Sequence, residues 1–222
     1  MFFQQLQQAF QHRFTEDQQS LVEKLSDFLF HQPETKVFII DGYAGTGKTG
    51  LMSALVKVLP FYSIKTILLA PTGRAAKVLS RNSQKTASTI HKHIYYSSID
   101  TNGNISLKLK NNKNTSTLYI VDEASMIGAR EQGFEAHNLL DDLLQHCLSG
   151  YKNKVIFMGD TAQLPPIGSS TSPALKQEYL ETEFALTTQY QRLTQVVRQA
   201  LQSGILRNAS NIRWAIANGR IR

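Results

Sequence analysis

Two patterns of hydrophobic residues alternate along the chain. Short continuous apolar runs, which are typical of buried strands, are separated by stretches with apolar positions at helical spacing. The runs lie at residues 36–41, 64–70, 117–121, 154–160 and 184–186. The helical stretches lie at 4–31, 51–59, 131–149 and 191–203, and shorter helices begin within 71–77 and 86–91. This alternation predicts an α/β fold, with a parallel sheet covered by helices on both faces and ligands at the carboxyl ends of the strands.

Residues 94–113 show a different pattern. Residues 94–100 and 105–110 alternate between apolar and polar positions, and 101–104, which contain Asn-Gly, join them. Asn-Gly between alternating runs is typical of a β-hairpin. We therefore expect a small inserted hairpin with a solvated surface; contacts to nucleic acid through its aromatic and lysine side chains are the alternative.

Composition limits the class of protein. The 222 residues are 41% hydrophobic, and the apolar runs are too short to span a bilayer. The amino-terminal residues lack the pattern of a secretory signal. The single cysteine, Cys147, excludes an internal disulfide and a cysteine-cluster metal site. We expect a cytoplasmic protein without membrane partners.

The net charge of +7 is unevenly placed, because residues 184–222 contain six arginines and no acidic residue. Such a segment can be a nucleic-acid footprint. It can equally belong to a fragment whose acidic partners have been cut away, so charge alone gives weak support for nucleic acid.

Residues 42–49 match the phosphate-binding pattern G-x-x-x-x-G-K-[ST] at every fixed position. A predicted strand precedes the loop and a predicted helix follows it. Glycines let backbone N–H groups converge on a phosphate, and the helix adds its positive end. We expect Lys48 to contact the β- and γ-phosphates and the Thr49 hydroxyl to bind Mg²⁺. The predicted nucleotide-binding residues of this loop are Gly42, Ala44, Gly45, Thr46, Gly47, Lys48, Thr49 and Gly50.

Two further polar groups follow predicted strands. Asp122 and Glu123 end the strand at 117–121, where a P-loop ATPase places a Mg²⁺-binding aspartate and a glutamate that deprotonates the attacking water. Gln163 lies in the turn 161–168 and is suited to sensing the γ-phosphate. A strand end with two solvated acids is the simpler alternative for Asp122 and Glu123.

Gln18 allows two interpretations. Thr15 and Gln18 have the spacing of a capping box at a helix start, and on local evidence this is the preferred interpretation. An amide also has a donor and an acceptor side by side, which suits an adenine edge. Thr72 and Arg74 follow a strand and suit a phosphate backbone, although a solvated helix end is equally consistent, and His91 alone favours a structural role.

Together these motifs resemble the N-terminal RecA-like domain of superfamily 1 DNA helicases, closest to the RecD, Dda and Pif1 group, a class of P-loop NTPases. The resemblance covers nearly the whole chain. The matching stretches are 14–18 for the Q motif, 42–49 for motif I, 70–76 for motif Ia, 88–91 for the next DNA-side motif, 122–125 for motif II, 159–166 for motif III and 193–199 for motif IV.

The resemblance implies ATP hydrolysis that drives 5′-to-3′ movement along single-stranded DNA, in recombination or repair complexes. It implies adenine recognition by Gln18, which reverses the local preference, and γ-phosphate contacts by Gln163 and Arg198. By this resemblance the catalytic residues would be Lys48, Asp122, Glu123, Gln163 and Arg198. Mg²⁺ would be bound by Thr49 and Asp122. DNA would be contacted by Thr72, Arg74 and His91. The hairpin corresponds to a small insertion that helps to split the duplex.

The departure from this family is at the carboxyl terminus, after motif IV. We expect a RecA-like ATP-binding domain at 1–190 and, at 191–222, the start of a second domain or an extension, without the family's second RecA-like domain and its arginine finger. That charge is worth about 10³–10⁵ in rate in related phosphoryl transfer. We therefore expect a fragment or truncated product that binds ATP, hydrolyses it slowly and does not unwind DNA.

Other functions remain open. The chain could be a non-enzymatic, nucleotide-dependent DNA-binding module of a larger repair complex. A P-loop kinase fits less well, because no lid segment is evident and residues 159–166 would have no role. No residue is identifiable as reading a 2′-hydroxyl, so RNA is an alternative to DNA.

Overall fold

The computed structural model describes residues 1–99, 105–128, 138–163 and 172–197. Its helices are α1 (Phe2–Phe10), α2 (Glu16–Phe30), α3 (Lys48–Val58), α4 (Gly73–Ser83), α5 (Ile90–Ile94), α6 (Leu139–Leu148) and α7 (Gln177–Phe184). Its strands are β1 (Thr35–Gly42), β2 (Lys65–Ala70), β3 (Ala87–Thr89), β4 (Tyr95–Ile99), β5 (Ile105–Leu109), β6 (Thr117–Val121), β7 (Lys154–Gly159) and β8 (Thr187–Leu193).

Six strands form one parallel sheet in the order β3-β2-β6-β7-β1-β8. β4 and β5 form a separate antiparallel pair, as the alternating pattern predicts. The predicted turn at 101–104 lies outside the described residues. The predicted fold class is confirmed: this is a RecA-like P-loop α/β fold with an inserted hairpin.

Two apolar cores cover the faces of the sheet. One face packs against α1 to α4 through alternate residues of β1 such as Phe38 and Ile40. The other face packs against α5, α6 and α7 through Val37 and Ile39. Because successive side chains of a strand point to opposite faces, a strand buried on both faces is a continuous apolar run. This is why β1 was recognisable from the sequence.

The carboxyl ends of the strands lie at one edge of the sheet. In register, Asp41 of β1 is beside Gly159 of β7 and Arg192 of β8, while Leu69 of β2 is beside Val121 of β6. The loops that follow β1, β6 and β7 therefore meet at this edge, although they are far apart in sequence.

Two sequence-based predictions near the carboxyl end of the sheet region were wrong. The apolar triplet at 184–186 is not a strand: α7 ends at Phe184, and Ala185 adopts a left-handed φ of 51°. The predicted helix at 191–203 is wrong at its start, because residues 191–193 belong to β8; residues 198–203 lie outside the described part. β8 is polar and only partly buried, as an edge strand can be, so no apolar run marked it.

Smaller differences occur elsewhere. The helical stretch 4–31 is two helices, and the second begins after Thr15 as the capping box predicts. The stretch 86–91 contains β3 before α5 begins at Ile90. The helix predicted at 131–149 is described only from Leu139. The domain boundary expected at 190 falls inside β8, so the sheet continues through Leu193.

Candidate nucleotide site

A pocket of about 330 Å³ lies at the carboxyl edge of the sheet. It is formed by the phosphate loop, the end of β6 and the turn after β7. Its lining residues are Tyr43, Ala44, Gly45, Gly47, Lys48, Thr49, Gly50, Asp122, Glu123, Gly159, Asp160 and Gln163. The structure thus brings together the predicted residues of three separate motifs.

The phosphate loop depends on glycine at two positions. Gly45 and Gly47 both have a φ of +84°, which L-residues with side chains rarely adopt. Gly47 is also the N-cap of α3, and a Cβ there would lie 2.6 Å from the amide nitrogen of Gln18. The α3 amino terminus therefore begins directly inside the pocket, where its free N–H groups can meet an anion.

Lys48 is folded back onto its own loop. Its ammonium group donates hydrogen bonds to the carbonyl oxygens of Gly42 and, at 3.1 Å, Tyr43. Burial lowers the pKa of Lys48, and four nearby carboxylates oppose that shift. The acids keep the Lys48 ammonium charged, and because its hydrogen bonds within the described residues are made only to neutral carbonyl oxygens, it can exchange them for an anion that enters the pocket.

Asp122 and Glu123 follow β6 directly. The Asp122 backbone N–H donates to the Leu69 carbonyl at 3.0 Å, and its carboxylate accepts the Glu123 N–H at 2.9 Å. Glu123 has a left-handed φ of 55°, an uncommon conformation for a non-glycine residue that often marks functional positions. Burial raises the pKa of both carboxyl groups, and for Glu123 the charge of Asp122 adds to this effect.

Gln163 ends a short turn after β7. Its backbone N–H donates to the Asp160 carbonyl at 3.0 Å, and its side-chain oxygen accepts from the Ser125 hydroxyl at 3.4 Å. The turn carrying Gln163 is therefore in contact with the segment that carries Glu123. The rest of the predicted turn, 164–168, lies outside the described residues.

Gln18 is buried and both ends of its amide have partners in the protein. Its oxygen accepts the Thr15 N–H at 3.0 Å, which completes the capping box of α2. Its nitrogen donates to the Thr46 carbonyl of the phosphate loop at 2.9 Å. The capping-box interpretation is confirmed. Adenine recognition by Gln18 stays a prediction, and it would require the amide to leave these partners.

Two contacts were missed by the sequence analysis. Asp17 accepts hydrogen bonds from Thr194 and Gln195, and the Val197 N–H donates to the Gly45 carbonyl at 3.0 Å. The residues after β8 therefore lie against the phosphate loop. Arg198, which follows them, is outside the described residues, so its predicted γ-phosphate contact stays a prediction. Nothing in the sequence around Asp17 indicated that it contacts the residues that precede Arg198.

Asp41 was also missed. It is the second-last residue of β1, its side chain is 2% exposed, and it accepts hydrogen bonds from the N–H and hydroxyl of Thr161 at 3.0 and 2.9 Å. The available signal was an acidic residue at the end of an otherwise apolar strand.

The predicted DNA-contacting residues lie along the same edge of the sheet but outside the pocket. Thr72 is the N-cap of α4, where its hydroxyl accepts the Ala75 N–H at 3.2 Å, and Arg74 is exposed in the first turn. His91 is in the first turn of α5, and its ring lies 5.7 Å from that of Tyr95. Because β2 and β3 are adjacent, the two helix starts are neighbours. The contacts to DNA stay predictions.

The site fits a nucleoside triphosphate with Mg²⁺. Hydroxyl and carboxylate oxygens, as in Thr49 and Asp122, are the ligands Mg²⁺ prefers beside phosphates. In the part of the chain that the structure describes, no group of three or more His, Cys, Asp or Glu side chains could hold a metal by itself.

A larger groove, of about 480 Å³, lies at the opposite edge of the sheet. Lys154 at the start of β7 lines it and donates to the carbonyl oxygens of Phe28, Gln32 and Thr35. These bonds connect the end of α2 to the start of β1, and the bond to Phe28 satisfies a carbonyl in the last turn of α2. Burial lowers the pKa of Lys154 to about 8. No residue predicted from the motifs lines this groove.

None of the helices in the described ranges is long and apolar enough to cross a membrane.

Comparison with known proteins gives one family and several relatives. The AAA_30 family, an AAA domain, matches residues 13–222. The ATP-dependent RecD2 DNA helicase of Deinococcus radiodurans is 29% identical over 198 residues, which are 89% of this chain and 24% of that protein. An uncharacterised protein of Acanthamoeba polyphaga mimivirus is 33% identical over 181 residues, 72% of this chain and 35% of that protein. The chain thus spans about a third or less of the length of these relatives.

Solved structures share the fold at low sequence identity. The Pif1 helicase of Candida albicans aligns with a TM-score of 0.51 and 17% identity over 85% of this chain and 41% of that one. The large terminase of bacteriophage HK97 aligns with a TM-score of 0.52 and 13% identity over 95% of this chain and 48% of that one. The fold, the phosphate-loop pocket and the family match agree: the chain belongs to the AAA_30 family, and it is similar to the RecD2 helicase in sequence and to the Pif1 helicase in its RecA-like fold.

Proposed function

We propose that this domain binds ATP with Mg²⁺ and hydrolyses it to move along single-stranded DNA, as the motor of a 5′-to-3′ helicase that acts in recombination or repair. The observation that supports this best is the meeting of Lys48, Asp122, Glu123 and Gln163 around one pocket. They come from three loops that are far apart in sequence, and each has the chemistry that one part of the reaction needs.

The roles follow from position and charge. The phosphate loop and the α3 amino terminus bind the phosphates through backbone N–H groups, and Lys48 exchanges its loop carbonyls for phosphate oxygens. Thr49 and Asp122 would hold Mg²⁺, which supplies charge neutralisation of the phosphates. Glu123 accepts the proton of the attacking water, and its raised pKa makes it a stronger base than an ordinary glutamate. Gln163 contacts the γ-phosphate.

Glu123→Gln tests hydrolysis. The variant should bind a fluorescent ATP analogue as the unchanged protein does and lose at least about 100-fold in single-turnover hydrolysis, since general bases contribute about 10²–10⁴. Glu178→Gln is the matched control, because Glu178 is exposed on α7 and does not line the pocket. An unchanged, very slow rate in Glu123→Gln would instead support the non-enzymatic binding module.

Fluorescence anisotropy of a labelled single strand, across a salt series, tests DNA binding. Binding should change with a non-hydrolysable ATP analogue and weaken steeply with salt. Arg74→Ala should reduce the salt slope by about one. Arg81→Ala is the control in the last turn of the same helix. Nucleotide binding without any DNA response would contradict the helicase proposal. An RNA strand of the same sequence distinguishes the two nucleic acids.

A further inference from the structure

The buried carboxylate of Asp41 connects the phosphate loop to the turn that carries Gln163. Asp41 Oδ1 accepts the Thr161 N–H at 3.0 Å, and Oδ2 accepts the Thr161 hydroxyl at 2.9 Å. Thr161 is thus held by both of its donors. Because Gln163 is two residues further along the same tight turn, the position of its side chain depends on this attachment.

The same carboxylate is bound from β8. Its Oδ2 accepts the Tyr190 hydroxyl at 3.0 Å and lies 3.6 Å from Arg192 Nε. Arg192 in turn donates to the Tyr43 hydroxyl at 2.8 Å and lies over the Tyr43 ring. Tyr43 belongs to the phosphate loop, so Asp41 is linked to the loop through one side chain and to the turn through another.

The buried position makes these contacts strong and fixed. A buried carboxylate that lost its donors would carry a large desolvation cost, so its partners are held in place. Consistent with this, burial and the adjacent Asp41 charge raise the pKa of Tyr190 to about 12, which keeps its hydroxyl protonated as a donor.

We propose that Asp41 is a positioning residue: through Thr161 it holds the turn that places Gln163 against the γ-phosphate, so that this contact sets the preference of the site for a triphosphate over a diphosphate. The proposal rests on the proposed function. Asp41 does not touch the nucleotide; it acts through Gln163.

The test compares affinities for ADP and for adenosine 5′-(β,γ-imido)triphosphate, both with Mg²⁺. Thr161→Val removes the hydroxyl bond to Asp41 and keeps the shape of the side chain. It should reduce the triphosphate preference by at least about tenfold, the scale of one hydrogen bond to a charged group. Binding of ADP should stay within twofold, because ADP lacks the γ-phosphate. Thr161→Ser retains a hydroxyl and should restore the preference.

Asp41→Asn provides the second arm. It should reduce the preference similarly, and the double variant Asp41→Asn with Thr161→Val should lose less than the sum of the two single variants, because both weaken the same attachment of the turn. Thr188→Val is the matched control: its hydroxyl also donates to a carboxylate, that of Glu181, outside the pocket. Thermal unfolding of each variant shows whether it is folded.

The outcomes separate the two proposals. No nucleotide binding by the unchanged protein would refute the proposed function. A triphosphate preference that Thr161→Val leaves intact would refute the role of Asp41 alone, as would equal binding of both nucleotides by the unchanged protein. If Asp41→Asn weakened ADP and the analogue equally while Thr161→Val changed nothing, Asp41 would act by its charge on Lys48, and the positioning role would be wrong.

Discussion

Replacing Gln18 by alanine should show what this side chain does. In the structure its amide joins the start of α2 to the phosphate loop, through the Thr15 N–H and the Thr46 carbonyl. The family resemblance instead implies that the amide reads adenine. The two roles predict different results for the same variant. Loss of the structural role should weaken the binding of any nucleotide, whereas loss of adenine recognition should weaken the binding of ATP alone.

The structural role has a calculable cost. Gln18→Ala loses two hydrogen bonds of about 1 kcal/mol net each. It also removes a methylene, from a side chain that is 1% exposed, worth about 0.8 kcal/mol. The free energy of unfolding should therefore fall by about 3 kcal/mol, and Tm by about 6–12 °C for a chain of this size.

Thermal unfolding and titration with fluorescent ATP and GTP measure both effects. We expect the Tm to fall and the affinities for ATP and GTP to weaken by the same factor, because the phosphate loop loses its support at Thr46. Gln19→Ala is the control, since Gln19 is exposed in the same helical turn. An unchanged Tm with weaker binding of ATP alone would refute this reasoning and assign adenine recognition to Gln18.

Three further predictions use other parts of the molecule. Gly47→Ala should abolish measurable nucleotide binding, because φ is +84° and the new Cβ would lie 2.6 Å from the side-chain amide of Gln18. The control Gly73→Ala should bind nucleotide normally in the same titration, because a Cβ there meets nothing within 4 Å. Asn153→Ala should lower the free energy of unfolding by about 3 kcal/mol in urea, since it leaves the buried Thr117 N–H and two carbonyls without their partner; a loss under 1 kcal/mol would contradict this. The rate of hydrolysis should fall as pH decreases through the raised pKa of Glu123, at a higher pH than an ordinary glutamate, because the base must be unprotonated; a pH–rate profile without that limb would count against Glu123 as the base.

The local motifs were readable because their chemistry is contiguous. The phosphate loop needs its glycines, lysine and threonine at fixed spacing, and these lie within eight residues. The end of β6 was equally clear, because a buried strand of a parallel sheet is a short apolar run and the acids follow it directly. The hairpin was predicted from alternation and Asn-Gly for the same reason.

The edge strand β8 was not readable. Its residues are mostly polar and partly buried. It therefore shows neither the alternation of apolar and polar residues nor the continuous apolar run by which strands are identified in a sequence. The neighbouring apolar triplet at 184–186 took its place in the prediction. Hydrogen bonding to β1 defines β8, and that pairing joins residues about 150 positions apart.

The sequence by itself determined the fold class, the phosphate loop and the acidic pair, because each depends on residues close together in the chain. Tertiary structure alone decided how these parts are connected. Asp17 reaches the residues after β8, and Asp41 reaches Thr161, across separations of 177 and 120 residues. Contacts between residues so far apart in the sequence depend on strand order and register, which place the carboxyl ends of the strands side by side. The local spacing of residues does not determine that order.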